Sequence, residues 1–217
     1  KNWVKSQDKV AEYYRTMRQE SERLSRLVEN VLDFARLQKG RKSYAFRVGD
    51  IDACVASVVE MMRPYAQQRG FAIHTVLAAE QCHFDKDAVT QIVVNLVDNA
   101  VKYARDAADK TIAVRTRNEP GLTIIEVEDH GPGIPHHLRR KVFDQFYRCD
   151  DVPAGAGRPA SNDGRPPSVA TTTGMGLGLT LVKRFAEAHG GYVEILPAQP
   201  TGAILRVGLA SEVRPAT

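Results

Sequence analysis

The chain has 217 residues, and 43% of them are hydrophobic, which is enough for one full core and an appended element. Its 30 basic and 26 acidic residues leave a formal net charge of +4 that is spread along the chain, so little points to nucleic acid or a membrane surface as a partner. The 3 cysteines are isolated from one another, which favours neither a disulfide framework nor a zinc site and fits a reducing cytoplasm.

The first 40 residues predict one long helix. From about residue 5 to residue 38 there is no Pro or Gly, and apolar or small residues recur with alternating spacings of four and three. A helix cannot bury such a seam on itself, so the pattern predicts a partner helix in a coiled coil or bundle. Leu27, Phe34 and Leu37 widen the stripe and favour a bundle, and Gly40 marks the helix end. The seam consists of Val10, Tyr14, Met17, Ser21, Leu24, Val28, Val31 and Ala35.

The rest of the chain alternates between strand and helix patterns. Together they predict an α+β fold, a two-layer α/β sandwich with helices on one face of a mostly antiparallel or mixed sheet. The predicted elements are a strand in SYAFRVGD, a helix from the N-cap Asp50 to Gln68, a strand in FAIHTVLA, a helix from near Asp85 to about Ala104, strands in KTIAVRTRN and LTIIEVED, a helix from about Gly176 to His189, and strands at 192–196 and 203–209.

Residues 149–173 are rich in Pro, Gly, Ala and Ser and cannot contribute to a core. Loops of this length are usually lids, binding loops or disordered insertions, and the position directly before Gly174, Gly176 and Gly178 favours a lid. Alternate glycines that open a helix let an anion approach the first unpaired N–H groups. A flexible turn is the alternative, because short glycine motifs are weak signals.

Two polar groups accompany these glycines. Asn95, Asn99 and Lys102 share one face of the helix that includes residues 91–103, and two carboxamide oxygens with an ammonium suit a magnesium ion and phosphates. An exposed polar face on a core helix is the alternative. Asp129 ends a strand before a Gly-Pro-Gly turn, where its carboxylate could accept a hydrogen bond from an adenine amino group or serve only as a turn residue.

The order of these motifs resembles a known family. NLVDNAVKY, DHGPGI, FDQFYR and TGMGLGL are similar to the N box, first glycine box, F box and second glycine box of sensor histidine kinases, within the Bergerat-type (GHKL) ATP-binding superfamily. The similarity covers about residues 43–210. The preceding ESERLSRLVENVLDFARLQKG resembles the second helix of the dimerisation and phosphotransfer hairpin. The resemblance therefore implies a partial hairpin in 1–41 and an ATP-binding catalytic domain in 42–217, with its lid at about 149–173.

The resemblance also implies a role for each matching residue. Asn99 would ligate Mg²⁺ with Asn95 beside it, while Lys102 and Arg148 would reach the phosphates of ATP. Phe143 and Phe146 would be hydrophobic anchors for the lid. The positions implied around the base and sugar are Tyr103, Asp129, Gly131, Gly133, Ile134 and Leu179, and those implied around the phosphates and the lid hinge are Thr173, Gly174, Gly176, Leu177 and Gly178.

The implied activity is transfer of the ATP γ-phosphoryl group to a histidine, for relay to an aspartate of a response regulator receiver domain. The implied full-length protein is a homodimer through its helical hairpin, and this chain would be the cytoplasmic part of a membrane-anchored sensor. No apolar run approaches the roughly 18 to 20 residues that span a bilayer, so we expect any anchor to lie outside the chain. None of the 6 histidines lies in a motif like H-E-x-x-T-P, so we also expect the acceptor outside it.

Two other functions remain. One is ATP hydrolysis, as in gyrase-like, MutL-like and Hsp90-like members, which place a glutamate four residues before the metal-binding asparagine. Asn95 occupies that position here, and a carboxamide is a poor general base, which favours phosphotransfer. The other is a catalytically silent dimerisation and signalling module. The complete set of Asn99, Lys102, Asp129 and the three glycines argues against it.

Overall fold

A computed structural model describes residues 43–147 and 176–211 and part of residues 9–35. The chain divides into two compact units, 1–42 and 43–217. In the first unit, every described residue is helical and exposed, including all eight residues of the predicted seam. Leu27, Phe34, Leu37 and Gly40, on which the predicted bundle packing and helix end depend, lie outside the described residues. No helix in the described part of the chain has the length and apolar character needed to cross a membrane.

The second unit contains three helices, seven strands and two short 3-10 turns among its described residues. The helices are α1 (Ile51–Gln67), α2 (Lys86–Tyr103) and α3 (Gly178–Ala188). The strands are β1 (Arg47–Asp50), β2 (Ala72–Ala78), β3 (Gln81–Phe84), β4 (Thr111–Glu119), β5 (Leu122–Asp129), β6 (Tyr192–Pro197) and β7 (Ala203–Ala210). The 3-10 turns are His136–Leu138 and Lys141–Phe143.

The strands form two sheets. The larger one has the order β2-β4-β5-β7-β6, with β2 parallel to β4 and the other pairs antiparallel, which confirms the predicted mixed sheet and α+β class. The smaller one pairs β1 with β3. Two details of the prediction were wrong. Only the last four residues of SYAFRVGD form a strand, and β3, whose sequence is QCHF, was not predicted because four residues carry too little alternation to detect.

One face of the larger sheet is covered by the three helices. Alternate residues of β4 and β5, such as Val114 and Val127, are fully buried against them. In α2 the buried residues recur with helical spacing, and the series includes the polar Asn95. These packed residues make α2 the central helix, in contact with both α1 and α3.

The other face of the sheet carries a row of ion pairs. Glu126 accepts a hydrogen bond from Arg206 at 2.6 Å and lies 2.9 Å from Arg117, and Arg206 also contacts Glu194 at 3.0 Å. Burial alone would raise the pKa of Glu126, but the two guanidinium groups outweigh it and lower the pKa below its usual value. These charged side chains are therefore paired with one another.

Two aspartates begin the central helices, as predicted. Asp50 accepts a hydrogen bond from the backbone of Ala53 at 2.9 Å, and Asp85 accepts one from Ala88 at 2.8 Å. The second carboxylate oxygen of Asp85 accepts from the backbone of Ala45 at 2.6 Å. Asp85 thus joins the segment before β1 to the start of α2.

His189 joins the end of α3 to the same point. Its side chain is fully buried, and its Nε2 accepts the backbone N–H of Asp85 at 3.1 Å. Its Nδ1 lies 2.6 Å from the carbonyl oxygen of Phe185, so the proton of the neutral ring is on Nδ1. Burial lowers the pKa of His189 below 6.5.

This burial predicts how stability depends on pH. The unfolded chain protonates His189 at about pH 6.5, whereas the folded chain resists protonation, so the free energy of unfolding should fall as the pH drops below that value. The loss approaches about 1.4 kcal/mol per pH unit until the folded-state pKa is reached. Urea unfolding between about pH 7.5 and about pH 5.5 measures it. His189→Gln should flatten the profile, and equal stability of the unmodified chain at both ends would contradict the prediction.

Candidate functional site

The middle of α2 meets the start of α3 at Asn95. This side chain is buried, and its Nδ2 donates to the carbonyl oxygen of Gln91 at 2.9 Å. Its Oδ1 would lie 3.0 Å from a Cβ placed on Gly178, the first residue of α3. Any larger residue at position 178 would push Asn95 aside, so the glycine lets the two helices approach at this point.

Asn99 lies one turn further along the same face of α2. Its Nδ2 is buried and has no hydrogen-bond partner among the described residues. A buried side-chain amide without a partner is costly, since most such groups are satisfied in folded proteins. The Nδ2 of Asn99 is therefore a donor that internal contacts in the described part of the chain do not use.

Lys102 is the third predicted residue of this face. Its ammonium forms an ion pair with Asp98, and the other carboxylate oxygen of Asp98 accepts a hydrogen bond from the hydroxyl of Tyr65 at 2.6 Å. The four-residue spacing of Asp98 and Lys102 could have been recognised from the sequence. The contribution of Tyr65 from α1 could not, because it depends on how α1 packs against α2.

Asp129 ends β5 in a buried position, 5% exposed. Its Oδ1 accepts the backbone N–H of Gly131 at 2.9 Å. Burial raises the pKa of the Asp129 carboxyl, and the backbone N–H groups of Gly131 and Ala203 oppose this rise. The group is thus a desolvated acid whose charged form gains from any additional hydrogen-bond donor.

The backbone around Asp129 is packed so closely that two positions have no room for a side chain. Gly202 has a φ of +123°, and a Cβ there would lie 1.9 Å from the carbonyl oxygen of Asp129. A Cβ on Gly131 would lie 2.9 Å from Oδ1 of Asp129 and 3.1 Å from the carbonyl oxygen of Tyr103. These contacts bring the turn after β5, the turn before β7 and the end of α2 together.

Helix α3 begins beside the F-box segment, which includes Phe143 and Phe146. Gly176 has a φ of +67°, and its carbonyl oxygen accepts the backbone N–H of Phe146 at 3.2 Å. Thr180 donates its hydroxyl to the carbonyl oxygen of Phe143 at 3.1 Å. The N-cap residue of α3 is Leu177, whose side chain makes no capping hydrogen bond to the first N–H groups of the helix.

The predicted site residues have different outcomes. Asn95, Asn99 and Lys102 lie along one stretch of α2, and the start of α3 meets this stretch at Asn95. Arg148, Thr173, Gly174 and the lid at 149–173 lie outside the described residues. Phe143 is buried, as an anchor requires, but Phe146 is 57% exposed and does not anchor through burial. The other predicted positions include Tyr103, 42% exposed, buried Leu177, and half-buried Gly133, Ile134 and Leu179. Gly202, Asp98 and Tyr65 were not predicted.

Comparisons with known proteins identify a family and relatives for this chain. The family model described as Histidine kinase-, DNA gyrase B-, and HSP90-like ATPase matches residues 84–212. The chain is 30% identical over 176 residues to the sensor protein RprX of Bacteroides fragilis (strain YCH46), covering 80% of this chain and 31% of RprX. It is 25% identical over 211 residues to the sensor protein kinase WalK of Staphylococcus aureus, covering 96% of this chain and 47% of WalK.

A solved structure supports the same assignment. Full-length ShkA in complex with AMPPNP superposes with a TM-score of 0.70 and 25% identity, covering 95% of this chain and 40% of ShkA. The family match and the fold thus define an ATP-binding α+β domain. The chain belongs to the family of histidine kinase-, DNA gyrase B- and HSP90-like ATPases, and its relatives confirm the predicted resemblance to sensor histidine kinases. It spans 31% of RprX and 47% of WalK.

The packing at Gly202 predicts a large loss of stability on substitution. Gly202→Ala combines a positive φ with a steric overlap against Asp129 and should cost about 3 kcal/mol or more in the free energy of unfolding. Gly121→Ala is the matched control, because Gly121 has a φ of +75° but open space around it, and should cost about 1 kcal/mol. Urea unfolding compares them. Similar losses for the two variants would refute the close-packing explanation.

Proposed function

We propose that this chain binds Mg²⁺ and ATP in the site along α2 and is the catalytic part of a protein-histidine kinase. The proposal places the base of ATP at Asp129 and the phosphates at Asn99, Lys102 and the start of α3. The activity is transfer of the γ-phosphoryl group to a histidine that this chain does not carry in the expected motif.

The observation that carries the proposal is the spacing of two anchor points on α2. Asn95 contacts the start of α3, and Tyr103 contacts the turn after Asp129. These two residues are eight positions apart, which corresponds to about 12 Å along a helix axis. A ligand that uses both ends must be elongated, with a hydrogen-bond donor at one end and negative charge at the other. ATP has this form.

The Asp129 end suits adenine. Its buried carboxylate has a raised pKa because of desolvation, so an exocyclic amino group that donates to it would stabilise the charged form. Guanine presents a carbonyl oxygen at the corresponding position, and two acceptors facing each other in a buried site repel. The site should therefore select ATP over GTP.

The other end suits phosphates and a divalent cation. Asn99 has an amide that the described residues leave without a partner, and its oxygen is a ligand type that Mg²⁺ accepts. The bound ion would supply neutralisation of the phosphate charge. The uncapped N–H groups of α3 would face the phosphates, with Lys102 beside them. We also assign Arg148 a phosphate contact and the segment 149–173 a lid function, by resemblance to sensor histidine kinases.

Asn95 favours phosphotransfer over hydrolysis. Activation of water requires a general base, and the amide of Asn95 has no basic lone pair. The Nδ2 of Asn95 is also engaged with Gln91, and its Oδ1 faces Gly178. A histidine acceptor needs less help, because neutral imidazole is itself nucleophilic. Phosphoryl transfer then depends on positioning and charge neutralisation by Asn99, Lys102 and the start of α3.

The remaining proposals concern the longer protein of which this chain would be a part. We propose that residues 1–41 are the second helix of a dimerisation and phosphotransfer hairpin, because the exposed seam of this helix needs partners. The longer protein would be a homodimer that passes its phosphoryl group to a response regulator receiver domain. Since the proposed reaction uses ATP, we assign this chain to the cytoplasmic part of a sensor.

Asn99→Ala tests the phosphate end. The variant removes the proposed metal ligand, so magnesium should no longer strengthen ATP binding, and the affinity for ATP with magnesium should fall by about tenfold or more. Isothermal titration calorimetry with and without magnesium measures this. Asn118→Ala on β4 is a control that should bind as the unmodified chain does. Absence of binding to the unmodified chain at millimolar ATP would overturn the proposed function.

Asp129→Asn tests the base end. The asparagine keeps an oxygen for the Gly131 N–H, but it loses the charge and offers an amide donor that guanine can use. ATP affinity should fall by about tenfold, and the preference for ATP over GTP should shrink. Competition of ATP and GTP against a fluorescent nucleotide gives both values. An unmodified chain that binds the two nucleotides equally would contradict the base assignment.

A further inference from the structure

Asp98 is held between two helices next to the proposed phosphate end. Its side chain is only 13% exposed, and each of its oxygens has a partner. One oxygen accepts the hydroxyl of Tyr65, on α1, at 2.6 Å, and the other forms the ion pair with Lys102. The guanidinium of Arg69 lies 4.0 Å from the centre of the Tyr65 ring, and its Nη1 donates to the Tyr65 carbonyl oxygen at 3.3 Å.

We propose that Tyr65 and Asp98 are positioning residues for Lys102, and that they orient its ammonium toward the phosphates of ATP. This inference rests on the proposed function, in which Lys102 contacts phosphate. Neither Tyr65 nor Asp98 needs to touch the nucleotide. They act through Lys102.

The geometry explains why two residues are needed. An ammonium has three N–H donors, so the bond to Asp98 leaves two for a phosphate. A carboxylate free to rotate could hold the ammonium in several positions. The Tyr65 hydroxyl donates to one oxygen and so fixes the carboxylate with its other oxygen toward Lys102. Because Tyr65 lies on α1, the orientation of Lys102 depends on the packing of α1 against α2.

The ion pair with Asp98 also favours nucleotide binding, because it orders the Lys102 side chain in advance. A free lysine has many rotamers, most of which are lost when its ammonium binds a phosphate. Since the ion pair with Asp98 already restricts Lys102 in the unliganded chain, less conformational entropy is lost on nucleotide binding. An exposed pair of this spacing would contribute little, but Asp98 is largely buried and hydrogen-bonded on its other side.

The test compares nucleotides with and without phosphates. Tyr65→Phe and Asp98→Asn in the 217-residue chain should each lower the affinity for ATP with magnesium by about three- to tenfold. Their affinity for adenosine should not change, because adenosine offers Lys102 nothing to bind. Competition against a fluorescent nucleotide measures both. Tyr65→Phe keeps the ring and should remain folded, which circular dichroism checks, so the test stands even if Asp98→Asn does not fold.

A double-variant comparison separates positioning from general stability. Adding Tyr65→Phe to Lys102→Ala should cause no further loss of ATP affinity, since the residue through which Tyr65 acts is gone. Tyr192→Phe, whose ring packs against Gly208 on the other face of the sheet, is the matched tyrosine control. Glu60→Gln, which breaks the ion pair with Arg63 on α1, is the matched carboxylate control. Both controls should bind ATP normally.

Three outcomes would overturn the inference. These are unchanged ATP affinity in Tyr65→Phe, an equal loss for adenosine, and a loss that persists in the Lys102→Ala background. If Lys102→Ala alone leaves ATP affinity unchanged, both the positioning role and the phosphate contact of Lys102 are wrong, while binding at Asn99 and Asp129 still stands. Failure of the unmodified chain to bind ATP would instead overturn the proposed function itself.

Discussion

The register of α2 against α3 is the constraint on which the site depends. Two contacts set it. The start of α2 meets the end of α3 where the Asp85 N–H donates to His189, and the middle of α2 meets the start of α3 where Asn95 faces Gly178. The helices therefore run antiparallel and are held at both ends. A shift of either helix would separate the uncapped N-terminus of α3 from the polar face of α2.

Helix α2 also connects the phosphate end of the site, at the start of α3, to the base end at Asp129. Tyr103 ends α2 against the turn that follows Asp129, where the backbone of Gly202 also lies in close contact. Since α2 is buried along most of its length, it acts as a rigid spacer between the two ends. The desolvated carboxylate of Asp129 and the start of α3 are thus kept apart by a fixed length of helix. This separation favours an elongated ligand such as ATP.

The predictability of each feature follows from the range of its interactions. Helix starts at Asp50 and Asp85 were predictable because a cap bonds to a residue three positions away. The polar face of α2 was predictable from helical spacing. Gly202 and Tyr65 were not, because their importance comes from Asp129 and Asp98, which are distant in sequence. The burial of His189 also depends on long-range packing, and β3 was too short to show a pattern.

The most direct measurement of the central claim is an NMR titration of the chain with magnesium and a non-hydrolysable ATP analogue. We predict shifts at both ends of the site, in the side-chain amides of Asn95 and Asn99 and the backbone amide of Gly178 at one end and in the backbone amide of Gly131 at the other, with saturation at a single affinity. Absence of shifts at millimolar analogue, or shifts confined to one end of the site, would contradict the claim that one elongated nucleotide bridges it.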